Sequence, residues 1–263
     1  MSRRGNVGRW ATRRGVRDLG RSRRRIGGNF NPLTSIAWQN AWWASDPAWT
    51  APADGAGVST WPSTAARNLV QATGANQPLY RASAAGFNNK PCIEFDGVND
   101  SLLDATFVGP TSDPYTVVCI ARWLNAAPVA TQATVSSWGS VAPGQNQYMA
   151  RASNNAHFVR WPTVRTGTLV SADTTPHFLR SQIGTTVLAR VDETAIGVTP
   201  TGTALATSAL GVGATPTTAS AVGAPFSNIQ VAFVAFFSGD LAADPQWAAF
   251  KTWAATTYGI TIA

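Results

Sequence analysis

Glu94 and Asp96 alternate within the stretch KPCIEFDGVND, so on an extended chain both carboxylates face the same side. Two carboxylates flanking one bond are what glycoside hydrolysis requires, one as acid and the other as nucleophile or base. The acidic run stops at Gly97 without a third acid, and the other close pair, Asp192 and Glu193, is adjacent and so faces opposite ways. His157 and His177 each sit in a short β-type run, with no GxSxG elbow and no reactive-cysteine context. Cys92 and Cys119 are the only cysteines and lack a CxxC or His-rich neighbourhood, which argues against zinc or dithiol redox chemistry. Buried free thiols are favoured over a disulfide between them, with both readings open. No glycine-rich phosphate loop joins a strand to a helix. The expectation is a chain that is not an enzyme, with no catalytic residue, no metal site and no cofactor.

Binding is the chemistry these residue types still allow. Aromatic faces stack on sugar rings, and Trp138, Tyr148 and Trp161, with Arg151 as a hydrogen-bond donor, are the candidates for a sugar site. The plainer reading, which is favoured, packs these rings inside the fold or against a neighbouring protein.

Charge is segregated. Residues 1–28, MSRRGNVGRWATRRGVRDLGRSRRRIGG, hold ten arginines, no lysine and a single acid, Asp18. Beyond them ten basic residues meet twelve acids, so residues 29–263 carry a formal −2 although the whole chain is +7. Residues 1–28 therefore read as an extended Arg/Gly-rich docking arm. Its contact residues would be Arg3, Arg4, Arg9, Trp10, Arg13, Arg14, Arg17, Arg21, Arg23, Arg24 and Arg25, with Ile26 as a second apolar anchor. Guanidinium forks suit an acidic groove on another protein. Nucleic-acid phosphates are the alternative partner, and a solvated tail is the third reading. Gly5, Gly8, Gly15 and Gly20 argue against an amphipathic transit helix. No apolar run reaches the ~18 residues of a membrane span, so a soluble chain made in the cytoplasm is expected.

The elements that must carry these residues begin with tryptophan. Trp38, Trp42, Trp43, Trp49 and Trp61 crowd a short stretch and must be mostly buried. Short β-branched and aromatic runs follow, among them YTVVCIARW, HFLRSQI, TTVLARVDE and IQVAFVAFF, separated by Gly, Pro, Asn and Asp. That punctuation predicts an antiparallel sandwich or barrel. Residues 197–227 are small and uncharged and are expected to form a long loop with one strand over 209–212. Asp244 and Pro245 predict the start of a helix that buries Trp247, Phe250, Trp253 and Ala254. Gly259 should end it, and ITIA should return as a strand. With no repeat and no internal linker, residues 29–263 read as one domain.

The order of these pieces carries a resemblance. VSTW, then NLVQATGANQPLYRASAAGFNNKPCIEFDGVNDSLL, then YTVVCIAR, then TPHFLRSQIGTTVLARVDE and a closing FSNIQVAFVAFFSGDLAADPQWAAFKTWAATTYGI span residues 36–263. This run resembles the concanavalin A-like, laminin G-like jelly-roll domains of bacterial surface and bacteriophage virion proteins. The resemblance implies an all-β, concanavalin A-like jelly-roll β-sandwich with one short C-terminal helix, to which the basic N-terminal arm is appended. It also implies a bacteriophage virion structural protein, either a minor tail protein or a head decoration protein. The arm would dock it to acidic surfaces of other virion proteins in a symmetric multi-subunit assembly. The alternative is a carbohydrate-binding module or adhesin for host-surface glycans, and a glycoside hydrolase is the third reading. Hydrolases of this fold place their acids in an E-x-D-x-x-E type run, of which only Glu94 and Asp96 are present. Related domains sometimes bind calcium, for which Asp96 and Asp100 would serve, but a turn-stabilising role is favoured for these acids.

Overall fold

A computed structural model describes residues 30–108, 114–126, 132–139, 146–151, 157–161, 164–166, 173–183, 186–200, 207–218, 221–224 and 226–263. The predicted arm, residues 1–28, lies outside the described residues. In chain order the first strands are β1 (Asn40–Trp43), β2 (Thr60–Pro62), β3 (Asn68–Val70), β4 (Leu79–Ala84), β5 (Lys90–Asp96), β6 (Leu102–Asp104) and β7 (Tyr115–Trp123). Next come β8 (Gln132–Gly139), β9 (Asn146–Arg151), β10 (His157–Trp161), β11 (Val164–Thr166), β12 (His177–Ile183) and β13 (Thr186–Val191). The remainder are β14 (Thr194–Pro200), β15 (Thr207–Val212), β16 (Thr215–Thr218), β17 (Ala221–Gly223) and β18 (Asn228–Ser238), followed by helix α1 (Trp247–Tyr258).

The strands form two large antiparallel sheets. The first runs β14-β13-β12-β7-β18-β5-β4, with β1 also paired to β18, and the second runs β11-β10-β9-β8-β15-β6-β3-β2. Strands β16 and β17 make a separate hairpin. The all-β expectation holds. The molecule is mostly antiparallel sheet with one α-helix among the described residues.

Strand alternation builds two cores on opposite faces of the first sheet. Tyr115, Val117, Cys119, Ala121 and Trp123 of β7 face the second sheet and meet Trp61, Leu69, Leu102, Met149, Leu210 and Val212 there. Val118 and Ile120 point the other way, into a second cluster closed by Trp247, Phe250, Ala254 and Tyr258 of α1. The alternation predicted for Ile93 and Phe95 is seen. Both are fully buried between the sheets, while Glu94 and Asp96 lie toward the outer face.

Strand β18 is the common wall. One edge pairs with β7 along its length, and the other is shared, with Asn228 to Val231 bonded to β5 and Phe233 to Phe236 to β1. A bulge between Val231 and Phe233 shifts the register. Consequently Ile229 and Val231 before it, and Val234 and Phe236 after it, all reach the inter-sheet core, while Phe233 and Ala235 serve the helix side. Gly213 lies beside this core at φ +80°, where an added Cβ would sit 2.2 Å from the Phe95 ring. Only glycine fits that turn.

Several local expectations change. The helix begins at Trp247, because Asp244 closes a preceding 3₁₀ turn over Leu241–Ala243 and its carboxylate accepts from Gln246 N–H instead of capping the helix. Gly259 ends it as expected, at φ +70° with its N–H on Ala255 O. The ITIA tail forms no strand, but Ala263 N–H bonds Asp192 O. Within the expected loop over 197–227 the strand expected over 209–212 is seen as β15, but the end of β14 and strands β16 and β17 stand there as well. Cys92 and Cys119 are buried and free, on opposite faces of the first sheet, so they cannot pair, and burial pushes both thiols well above the usual range. No helix among the described residues is long and apolar enough to cross a membrane.

Candidate functional site

Beside α1 an open groove of about 510 Å³ is cut into the outer side of the first sheet. The helix turns Trp247, Phe250, Ala254 and Tyr258 inward. Trp253, Thr256 and Thr257, spaced i, i+3 and i+4, share an adjoining flank and line the groove. Trp253, expected in the buried stripe, is thus only partly buried. Trp43 and Ser45 enter from β1 and its following turn, and Phe30 from the chain ahead of β1. Asn88 comes from the turn between β4 and β5, and Lys90 is the first residue of β5.

The aromatic wall is rigidly supported. Trp253 stacks on Phe250 at 5.4 Å and 24°, and meets Trp43 and Tyr258 edge-on at 5.7 and 5.6 Å. Trp43 Nε1 donates to the Tyr258 hydroxyl at 2.7 Å. Burial pushes the Tyr258 phenol above its usual range despite that bond, so it stays neutral. Asn88 holds φ +53° and donates its amide to the Thr256 and Thr257 carbonyls, each at 3.4 Å, satisfying groups the helix end leaves open. Lys90 is exposed and makes no ion pair among the described residues.

Glu94 belongs to a separate polar row. Sheet register sets Arg122, Gln230 and Glu94 side by side across β7, β18 and β5. Glu94 accepts from Arg81 and from Gln230, both at 2.5 Å. Burial alone would push the Glu94 carboxyl up, but these two bonds together with the Arg81 and Arg122 charges outweigh it and hold it below the ordinary carboxylate range. Asp96 turns away. Its Oδ1 accepts from the backbone N–H groups of Val98, Asn99 and Asp100, while Asp100 Oδ2 accepts from Asp96 N–H. Both acids therefore serve the turn, as the sequence favours.

His177 forms a third cluster. It lies between Asp192, 2.7 Å from Nδ1, and Asp173, 2.9 Å from Nε2, with the Trp123 ring nearby. Asp192 and Glu193 form the turn between β13 and β14 at φ +52° and +65°, values a two-residue hairpin demands and non-glycine residues resist. Their side chains tie that turn to β12. Asp192 accepts from Phe178 N–H, and Glu193 takes Arg180 through both carboxylate oxygens. Arg180 in turn lies 5.2 Å over the Trp247 ring.

The predicted sugar residues lie on three neighbouring strands of the second sheet, Trp138 on β8, Tyr148 and Arg151 on β9, and Trp161 on β10. Register pairs Tyr148 with Ser136 and Arg160, and Arg151 with Gln132 and His157. The side chains of all four lie outside the described residues, as do the arm residues. The sequence reading did not find the groove as a unit. Trp43 and Trp253 each carried a packing signal, but nothing local joins residues so far apart.

No protein-family model matches the sequence, and no curated protein matches it. Solved structures do. Trypanosoma rangeli sialidase in complex with 2,3-difluoro-KDN matches at TM-score 0.51 and 14% identity, covering 82% of this chain and 32% of that one. The same sialidase with sialic acid matches at TM-score 0.51 and 16% identity, with the same coverage. A Ruminococcus gnavus IT-sialidase CBM40 bound to α2,6-sialyllactose covers 52% of this chain at TM-score 0.41 and 10% identity. The chain spans about a third of the length of the Trypanosoma sialidases, and at such identity the likeness is one of fold.

These neighbours correct the expectation that the chain is not an enzyme, because the matching chains are sialidases. That expectation rested on local sequence signatures, acid spacing along single strands among them. Spacing of that kind cannot register groups that sheet pairing assembles from different strands, as it assembles Arg81, Glu94, Gln230 and Arg122.

Proposed function

We propose that this chain is a carbohydrate-binding β domain of the concanavalin A-like, laminin G-like jelly-roll type. The observation that carries the reading is the fold shared with Trypanosoma rangeli sialidase over 82% of the chain. The chain also passes repeatedly between two antiparallel sheets that share one core, as a jelly roll does. The test is an array of neutral and sialylated oligosaccharides probed with the full-length protein. Saturable binding to a defined subset is expected, and no binding across the array would refute the reading.

Two further readings draw on specific observations. The sialidase neighbours support a hydrolytic role, which reducing-sugar release by wild type, abolished in Glu94→Gln, would establish. The charge segregation of residues 1–28 supports display of the domain on a bacteriophage virion through the arm, with host glycans as its target. Removal of residues 1–28 would then abolish incorporation into particles, and truncated protein found in purified virions would exclude it.

A further inference from the structure

We propose that the groove beside α1 seats a pyranose ring of a glycan, an inference that rests on the carbohydrate-binding reading and adds its site. A pyranose has an apolar C–H face and a belt of hydroxyls that both donate and accept. Its seat therefore needs an aromatic wall edged by a few convergent polar groups. Trp43, Trp253 and Phe30 make such a wall. Because Trp253 is stacked on Phe250 and Trp43 is tied to the Tyr258 hydroxyl, the wall is fixed before any ligand arrives, and binding costs it little freedom.

The rim supplies the complementary groups. Asn88 spends its amide protons on the helix carbonyls, which orients the side chain and leaves Oδ1 as an acceptor without a partner among the described residues. The Thr257 hydroxyl makes no hydrogen bond among the described residues and can donate or accept. Lys90, the one charged residue lining the groove among the described residues, adds three donors and suits a sugar carrying a carboxylate as well as a neutral one. The volume, about 510 Å³, falls within the roughly 300–1,000 Å³ of small-ligand sites.

The full-length protein is titrated calorimetrically with lactose and with sialyllactose, and its array profile is recorded beside four variants, Trp253→Ala, Lys90→Ala, Thr257→Val and Trp161→Ala. Trp253→Ala is expected to weaken binding roughly thirtyfold and Lys90→Ala about fivefold, the larger effect falling on the aromatic anchor. Trp253 also supports the helix, so the Lys90 and Thr257 variants, which touch no core, must weaken binding in the same direction with an unchanged circular dichroism spectrum. Wild-type affinity in the Trp253, Lys90 and Thr257 variants, with loss in Trp161→Ala, overturns the site while leaving the carbohydrate-binding reading intact. Absence of any glycan binding by wild type overturns both.

Discussion

The indole N–H of Trp43 and the hydroxyl of Tyr258, 215 residues apart in sequence, meet at 2.7 Å and join β1 to the last turn of α1. Tyr258 is fully buried, so removing its hydroxyl leaves the half-buried indole donor without its acceptor. Tyr258→Phe should therefore destabilise the fold by about 1–3 kcal/mol. Urea denaturation followed by tryptophan fluorescence reads the loss. Trp43→Phe combined with Tyr258→Phe should cost less than the two single changes added together, because neither group is then orphaned. Strict additivity would show that the bond contributes nothing.

His177 should make stability depend on pH in a defined window. Burial alone would pull its pKa down, but the hydrogen bonds and charges of Asp192 and Asp173 outweigh this and raise it above the ordinary value near 6.5. A raised folded pKa means that the contribution is complete below about pH 6.5 and is lost as pH rises through the folded-state value. As pH rises above 6.5 the wild-type denaturation midpoint should fall, while His177→Gln stays level. Equal slopes in the two proteins would remove His177 from the account.

Asp100 acts in a lower window. Burial is the main cause that pushes its carboxyl up to about 6, and the neighbouring Asp96 charge adds to the shift, against the backbone bond that favours ionisation. The folded state thus holds this proton more tightly than the unfolded chain, so ionisation above pH 6 costs stability that is present below pH 4. Asp100→Asn keeps an acceptor for Asp96 N–H and removes the charge. With allowance for partial hydration it should gain about 1 kcal/mol at pH 7, a rise in Tm of roughly 2–4 °C, with the gain gone at pH 4. A variant less stable than wild type at pH 7 would contradict this.

How much of this was legible in the sequence depends on distance along the chain. The period-two alternation of Ile93 and Phe95 is local, and the structure shows it. Trp247, Phe250 and Ala254 announce a helix by their spacing, yet Asp244 and Pro245 mislead about its start because an N-cap pattern also fits the end of a 3₁₀ turn. The small Thr and Ala residues of 207–223 carry little apolar signal, and pairing with neighbours, not propensity, makes them strands. The groove depends on a turn at Asn88, an edge strand at Trp43 and a helix flank at Trp253 meeting in space. The arginine row around Glu94 likewise depends on register between strands far apart in sequence.

The bulge in β18 has a consequence for how the molecule comes apart. Because one strand furnishes side chains to both apolar layers, and the extra residue beside Val231 sets which layer each later side chain enters, neither layer can melt while the other keeps its wall. Were Ala232 to take a paired position and the strand run on without the bulge, Val234 and Phe236 would exchange layers with Phe233 and Ala235, placing each set in a space shaped for the other. The helix and the sheet beyond it are in this way packed against opposite faces of one strand.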